Sequence, residues 1–185
     1  IRHEADVIVV CPGAETQGPM AHLLLNAPLR RVRLQMLQTE PLGETLTTSI
    51  ADGDSLRYYP AYRVPSLARL PTPEPVVAAH HVQLLVSQRA DGSLTVGDTH
   101  DYDEPFDFAL DESPTQHLLG RLASLLGRPA PAVARRWSGV YAQTLDDALC
   151  WRDQVQPGVW VVTGLGGRGM TLAPAVAEDT WELMG

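Results

Sequence analysis

Hydrophobic residues near both ends of the chain form short runs without polar interruptions, and each run is bounded by glycine or proline. Residues 5–14 read ADVIVVCPGA, and residues 158–163 read GVWVVT. Such β-branched runs are typical of strands that are buried on both faces, as in a parallel sheet. Residues 16–25 predict a short helix after the first strand, and residues 171–184 predict a helix after the second. The ends of the chain therefore predict parallel α/β structure.

The middle of the chain has a different pattern. Residues 31–37 alternate between polar and apolar positions, which predicts a strand with one solvated face. The stretches 81–88 and 94–97 flank the turn sequence ADGS, which favours an antiparallel hairpin. From Asp111 to Gly127, leucines recur at helical spacing between an acidic cap and a terminal glycine, and a further strand is expected after that helix. The predicted fold class is α+β, with an antiparallel central sheet, helices, and α/β character at the two ends.

Composition excludes several function classes. The 185 residues contain 14 basic and 22 acidic side chains, and the net charge of −8 opposes binding to a phosphate backbone, so no nucleic-acid partner is expected. Every basic residue is arginine, which excludes lysine Schiff-base chemistry and a Walker lysine. The two cysteines, Cys11 and Cys150, provide neither a disulfide scaffold nor zinc-ligand spacing, and they favour a cytoplasmic protein. The longest apolar runs are far shorter than the roughly 20 residues of a membrane span, so none is predicted.

Residues 164–169 read GLGGRG and match the pattern G-x-G-x-x-G between a predicted strand and a predicted helix. Only sixteen residues follow Gly169. That is too few for the second strand, and for the acidic residue about twenty positions on, that complete a Rossmann unit. Glycines nevertheless let a ligand approach the backbone closely, and free N–H groups at a helix start attract electron-rich atoms. Two interpretations stay open, a ligand-binding turn and a turn that only closes a sheet.

The same C-terminal stretch resembles a known family. Residues 161–174, VVTGLGGRGMTLAP, followed by Ala177-Glu178, resemble the closing segment of the D-amino-acid oxidase and glycine oxidase family (DAO) of FAD-dependent oxidoreductases. The resemblance implies an antiparallel substrate-binding sheet with helices, joined to the last strand and helix of a Rossmann-like FAD domain. Further similar segments occur in the family's order and cover nearly the whole chain: 5–14, 29–41, DGSLTVGDT at 91–99, WSGVYA at 137–142 and TLD at 144–146.

The resemblance also implies a domain organisation. Residues 1–28 correspond to a returning strand and helix of the FAD-binding domain, residues 29–142 to the substrate-binding domain, and residues 143–185 to the closing segment of the FAD-binding domain. The N-terminal βαβ unit that holds the ADP part of FAD in the family has no counterpart, and Ile1 is interpreted as an internal start. We therefore expect a fragment of a full-length FAD enzyme, inactive alone and without tightly bound FAD.

In the family, the flavin takes a hydride from a carbon next to an amine and leaves an imine. The resemblance thus implies oxidation of a small-molecule amine, amino acid or aminophosphonate. This chemistry needs no acid–base residue from the protein, and no catalytic residue is predicted. Residues beside the flavin position it, and a helix N-terminus stabilises negative charge on it. The cofactor-binding residues that the resemblance implies are Gly13, Ala14, Gly164, Gly166, Gly167, Arg168, Gly169, Met170 and Thr171.

The substrate side departs from the members that oxidise amino acids. Tyr141 stands where they carry the arginine that clamps a carboxylate, Leu85 lies near their hairpin tyrosine, and Gly167 aligns with their second arginine. Residues 81–102 look most like a bacterial subgroup associated with phosphonate metabolism and proposed to oxidise aminophosphonates. The residues expected to contact the substrate are Tyr141, His81, His100, Tyr102 and Arg168.

Other histidines and carboxylates give weaker signals. His80 and His81, as neighbours on a predicted strand, are expected to point to opposite faces, so that at most one faces the pocket. The acidic residues at 101–107 lack the glycine and terminal glutamate of a calcium loop, so a solvated loop and no metal site are predicted. The alternative function is a stand-alone ligand-binding or interaction domain that keeps the fold without flavin chemistry. The amine, the electron acceptor and the oligomeric state stay open.

Overall fold

The computed structural model describes residues 3–185, so the expected internal start at Ile1 lies outside the described residues. The chain divides into two units. The terminal unit consists of the chain up to Val32 together with Val140–Gly185, and the central unit is Arg33–Gly139. Among the described residues, no helix is long and apolar enough to cross a membrane.

Eight strands and three α-helices follow one another along the described part of the chain. In order they are β1 (Ile8–Val10), β2 (Leu29–Pro41), β3 (Ile50–Ala51), α1 (Pro75–His80), β4 (Leu85–Gln88), β5 (Ser93–Gly97), α2 (Glu112–Leu126), β6 (Val133–Thr144), β7 (Trp151–Gln156), β8 (Val159–Thr163) and α3 (Gly169–Met184). Short 3₁₀ helices lie between them at Ala21–Leu23, Gly53–Arg57, Pro60–Tyr62, Pro65–Arg69 and Gly166–Arg168.

The terminal unit is built on a three-stranded sheet in the order β1-β8-β7. β1 is parallel to β8, with Ile8 opposite Val159, and β7 is antiparallel to β8. The parallel pairing of the two apolar runs agrees with the sequence pattern. The prediction that β1 is buried on both faces is wrong, because β1 is an edge strand among the described residues and the Ile8 side chain is 49% exposed.

Two local features of the terminal unit also differ from the sequence pattern. The helix predicted at 16–25 is only the 3₁₀ turn Ala21–Leu23, since Gly18 and Pro19 interrupt the segment. β7 was not predicted at all, because its sequence WRDQVQ is mostly polar, in keeping with its partly exposed position. The structure therefore adds a hairpin partner on the far side of β8.

The central unit contains most of a five-stranded sheet in the order β3-β4-β5-β2-β6. The pairs β3/β4, β4/β5 and β5/β2 are antiparallel, and Val86 lies opposite Val96 in the predicted hairpin. The described chain thus combines antiparallel sheet and helices with a parallel strand pair, which confirms the predicted α+β fold class.

The core of the central unit joins this sheet to α2. Leu118 and Leu122 of α2 are fully buried with Leu37, Leu84 and Leu94 of the strands. The start and end of the helix agree with the sequence signals. The Asp111 carboxylate accepts a hydrogen bond from the Ser113 N–H (2.9 Å), and Gly127 ends the helix in the left-handed conformation with φ +65°.

The histidines at the end of α1 are placed differently from the prediction. His80 is the last residue of α1, and His81 follows in the left-handed conformation with φ 46°. The strand expected from residue 81 begins only at Leu85. The alternation of a strand does not apply to this pair, so the two side chains are free of the constraint that would place them on opposite faces.

Candidate functional site

The terminal unit contains a cleft of about 600 Å³ at the ends of its two parallel strands. The chain turns away from the sheet after β1 at Gly13 and Ala14, and after β8 at Gly164. Small and aliphatic residues form most of the cleft walls. The lining residues include Val9, Cys11, Gly13, Ala14, Tyr141, Ala142, Val162, Gly164, Gly166, Gly169, Ala173, Val176, Ala177 and Trp181.

A direct contact ties the two turns together. The Thr163 Oγ1 at the end of β8 donates a hydrogen bond to the Gly13 carbonyl oxygen (2.9 Å). Gly13 has φ +59°, and a Cβ added there would have no other atom within 4 Å. The backbone at Gly13 therefore borders open space, which is the property that lets a ligand approach a main chain closely.

Gly164, unlike Gly13, is closely surrounded by other atoms. Its φ is +81°, and a Cβ at this position would lie 2.7 Å from Leu29 Cδ2 and 3.1 Å from Thr144 Cγ2. The Gly164 carbonyl oxygen also accepts a hydrogen bond from the Thr144 N–H (3.2 Å). This glycine is required by packing as well as by its backbone conformation, so it closes the sheet and shapes the cleft at once.

The glycine loop leads into α3, and no side chain caps the first turn of that helix. The Gly169 N–H donates to the Gly166 carbonyl oxygen of the preceding 3₁₀ turn, and the helix dipole favours an electron-rich group near this end. An apolar cleft, an open main chain at Gly13 and an uncapped helix start together fit a flat, largely apolar ring with an electron-rich edge. The residues that line this cleft are thus compatible with a flavin.

The predicted cofactor residues separate into two groups. Gly13, Ala14, Gly164, Gly166 and Gly169 line the cleft, whereas the other four are not among its lining residues. Those four are Gly167, Arg168, Met170 and Thr171.

The side chains of Arg168 and Met170 make the following contacts in the structure. Arg168 donates from Nε to the Leu165 carbonyl and from Nη2 to the Ala148 carbonyl, both at 3.4 Å. The Met170 side chain is 97% exposed. Arg168, which was also expected at the substrate, thus anchors the loop to its neighbours.

The central unit contains a second, more polar cleft of about 540 Å³. His81, His100 and Tyr102, three of the residues expected at the substrate, lie together in its wall, whereas Tyr141 lines the cleft of the terminal unit. His80 lines this cleft as well, so the expectation that only one of the neighbouring histidines faces a pocket is wrong. The remaining lining residues include Arg33, Gln35, Asp101, Asp103, Phe106, Asp107, Leu110 and Asp111.

His81 and His100 hold each other through their main chains. The His81 Nδ1 donates to the His100 carbonyl oxygen (3.1 Å), and the His100 Nδ1 donates to the His81 carbonyl oxygen (3.2 Å). Aromatic rings lie beside both imidazoles. The Tyr58 ring is 4.4 Å from the His100 ring, and the Tyr102 ring makes an edge contact with His81 at 4.9 Å. These contacts leave His100 almost fully buried, at 2% exposure.

Acidic residues in the lining of the central-unit cleft contact His80 and Arg33. His80 lies between two carboxylates, with Nδ1 3.4 Å from Asp101 Oδ1 and Nε2 3.3 Å from Asp111 Oδ2. Arg33 is buried and lies 3.8 Å from Asp101, and its Nη2 donates to the Ala109 carbonyl. The hydrogen bond from the Ser113 N–H is the largest cause of the lowered pKa of the Asp111 carboxyl. No group of three or more possible metal ligands occurs among residues 3–185.

Asp98 is the residue of this unit that sequence reasoning missed. Its carboxyl group is largely buried, and burial raises its pKa to about 7. The Oδ1 atom has no hydrogen-bond partner, and Oδ2 lies 3.9 Å from His100 Nε2. Burial also raises the pKa of Tyr59, with a smaller contribution from the Asp98 charge. The only sequence signal was an aspartate directly after the hairpin, inside the segment Gly97-Asp98-Thr99.

A family model and several solved structures match the chain. A family model described as FAD dependent oxidoreductase (DAO) matches residues 1–183. No curated protein sequence matches the chain.

Solved structures show the same fold at low sequence identity. The L-proline dehydrogenase from P. horikoshii has a TM-score of 0.66 and 17% identity over 96% of this chain and 42% of its own. The glycine oxidase from Geobacillus kaustophilus has a TM-score of 0.62 and 17% identity, over 92% of this chain and 39% of its own. The iminodiacetate oxidase from Chelativorans sp. BNC1 has a TM-score of 0.58 and 18% identity, over 93% of this chain and 40% of its own. The chain therefore spans about two fifths of the length of these solved proteins.

Proposed function

The chain belongs to the DAO family of FAD-dependent oxidoreductases, and from this membership we propose that it forms part of an enzyme that oxidises the C–N bond of a small amine. The observation that carries the proposal is the terminal-unit cleft, where the turns after two parallel strands meet beside the uncapped start of α3. When bound, FAD supplies the acceptor for the hydride removed from the carbon next to the amine. The resulting imine is then hydrolysed by water.

Five residues of the terminal unit hold the cofactor in this proposal: Gly13, Ala14, Gly164, Gly166 and Gly169. Gly13 presents an open main chain, and Gly164 keeps Leu29 and Thr144 packed beneath the turn. Gly169, the first residue of α3, lines this cleft, and the helix dipole favours negative charge near the start of the helix. Aliphatic side chains of the cleft exclude water from the cofactor.

We further propose that the central-unit cleft receives the anionic end of the substrate. His81, His100 and Tyr102 lie in one wall of that cleft. Tyr141 replaces the arginine that clamps a carboxylate in amino-acid oxidising members, so recognition in this chain relies on other groups. An imidazole N–H donates hydrogen bonds to phosphonates and carboxylates alike, so the proposal of an aminophosphonate as substrate rests on the resemblance to the phosphonate-associated subgroup.

The three solved relatives described above are more than twice as long as this chain. We therefore propose that the complete reaction belongs to a longer protein, and its test uses the full reading frame that contains these residues. The purified protein is expected to show a flavin absorption spectrum. Under anaerobic conditions, aminophosphonates are expected to bleach this spectrum faster than glycine, sarcosine or D-amino acids.

Two matched variants connect the test to the cleft. Gly13→Leu places a side chain in the terminal-unit cleft. Gly43, with φ +84° against +59° for Gly13, also has a positive φ and no atom within 4 Å of an added Cβ, and it lies outside that cleft, so Gly43→Leu is the control. We expect Gly13→Leu to lose bound flavin and Gly43→Leu to retain it. Equal flavin content in the two variants contradicts the assignment of the cleft, and a flavin that no amine reduces contradicts the proposed reaction.

A further inference from the structure

One loop supplies more than half of the residues that line the central-unit cleft. The segment 101–111, which we call the cleft loop, lies between β5 and α2 and contains neither helix nor strand. Acidic, aromatic and aliphatic residues of this loop face the cleft, among them Tyr102, Asp103 and Phe106. The shape of the cleft therefore depends on how the two ends of the loop are held.

Both ends of the cleft loop are bonded to the same strand, β2. The main chains of Asp101 and Arg33 exchange two hydrogen bonds, of 2.8 and 3.0 Å. At the other end, the Asp111 N–H donates to Gln35 Oε1 (2.7 Å), and Arg33 Nη2 donates to the Ala109 carbonyl oxygen. Arg33 and Gln35 are both buried. The ends of the loop thus lie close together, as in a compact Ω-loop.

The His80 ring lies between the side chains of the two end residues. His80 is outside the loop, as the last residue of α1. Its Nδ1 is 3.4 Å from Asp101 Oδ1, and its Nε2 is 3.3 Å from Asp111 Oδ2. Each ring nitrogen therefore faces a carboxylate oxygen, one at each end of the cleft loop.

Only a ring with two protons attracts both carboxylates. A carboxylate oxygen accepts hydrogen bonds, and a neutral imidazole has one N–H and one lone pair. A neutral His80 therefore attracts one end of the loop and turns a lone pair toward the other, whereas the cation attracts both ends. The hydrogen bond from the Ser113 N–H is the largest cause of the lowered pKa of the Asp111 carboxyl, and the charge of His80 also lowers it.

We propose that His80 is a proton-dependent bridge, which holds the two ends of the cleft loop together as a cation and releases one end when it loses a proton. Histidine side chains change charge between about pH 5 and 8, so the loop loosens as the pH rises through this range. Arg33 lies 3.8 Å from Asp101 and shares that carboxylate with His80. The other charged or titratable side chains of the cleft lining are His81, His100, Tyr102, Asp103 and Asp107. The bridge does not depend on which ligand the cleft receives.

Hydrogen exchange at the ends of the cleft loop tests the bridge. The Asp101 and Asp111 amides are the probes, because their N–H groups are bonded to Arg33 and Gln35 when the ends are held. In the protein expressed from the full reading frame, their protection, corrected for the intrinsic exchange rate, is expected to fall about tenfold between about pH 5.5 and 8.5, since a hydrogen bond to a charged group is lost. Equal protection at the two pH values overturns the proposal.

Asp111→Asn reverses the proton requirement of the bridge. Asp111 Oδ1 accepts the capping hydrogen bond from the Ser113 N–H, and Oδ2 is the atom that faces His80. An amide keeps the capping oxygen, which suits a helix N-cap, and places an N–H donor beside His80 Nε2. The neutral ring then suits both ends of the loop, so protection is expected to rise with pH instead of falling. A fall like that of the wild type overturns the proposal, because a purely structural role of Asp111 gives no change of sign.

Two control variants separate the bridge from other carboxyl groups. Asp103→Asn makes the same charge change within the cleft loop, and Asp98→Asn removes the buried carboxyl whose pKa is about 7. Both are expected to keep the wild-type fall in protection, and its loss in either variant overturns the proposal. In His80→Gln, which has no charge at any pH, the fall is expected to disappear, and a fall that persists also overturns it.

Discussion

Replacing Gly164 by alanine tests how the glycine turn is built. The residue has φ +81°, a conformation that costs an L-residue roughly 1–2 kcal/mol. The new Cβ would also lie 2.7 Å from Leu29 Cδ2 and 3.1 Å from Thr144 Cγ2, and overpacking of this kind costs roughly 1–3 kcal/mol. The free energy of unfolding is therefore expected to fall by roughly 2–5 kcal/mol.

Gly13→Ala is the matched control, because it isolates the backbone cost. Gly13 has φ +59°, and a Cβ there meets no atom within 4 Å. Its loss of stability is expected to be about 1–2 kcal/mol, from the left-handed conformation alone.

The assay is urea denaturation followed by tryptophan fluorescence, since Trp151, Trp160 and Trp181 all belong to the terminal unit. Circular dichroism of the same samples shows whether the two units unfold together. Equal losses for Gly164→Ala and Gly13→Ala would refute the reasoning, because the difference between the two variants is the packing against Leu29 and Thr144.

Two other expectations concern the central unit. Burial raises the pKa of Asp98 to about 7, so the folded chain binds the carboxyl proton more tightly than the unfolded chain does. The stability gained from this protonation is complete below about pH 4 and is lost as the pH rises through 7. Between pH 4 and pH 8, the free energy of unfolding of Asp98→Asn should therefore rise relative to that of the wild type, by up to roughly 4 kcal/mol, as denaturation experiments would show. A difference between the two proteins that does not change with pH would contradict the burial of the carboxyl. Leu118→Ala removes a fully buried side chain from the core and should cost about 2–5 kcal/mol, whereas Leu125→Ala, at 49% exposure, should cost less than about 1.5 kcal/mol, as urea midpoints would show.

Sequence patterns predicted the elements whose signals are local. The α2 helix carries its own cap at Asp111 and its own terminator at Gly127, and the hairpin turn at 90–93 selects its pairing through an aspartate and a glycine. The ends of α2 and the pairing of the hairpin depend on residues close together in the chain, so the sequence pattern predicts them correctly.

The remaining features depend on contacts that the sequence does not display. The polar strand β7 forms because β8 pairs with it, and its sequence lacks the alternation of hydrophobic and polar residues that predicts a strand. The left-handed conformation at His81 brings two adjacent histidines into one cleft. The burial of Asp98 depends on elements distant in sequence, so a charged residue after a hairpin gave no sign of its surroundings.

The hydrogen bond from Thr163 to Gly13 joins residues that are 150 positions apart. Before it forms, the terminal unit must bring together two segments separated by the whole of Arg33–Gly139, and the entropy of closing so large a loop slows such a step. In the central unit, by contrast, the β4/β5 hairpin and α2 form from residues that are close together in the chain. Assembly of the terminal-unit cleft is therefore expected to come late in folding, after the hairpin and α2 have already shortened the effective length of the loop.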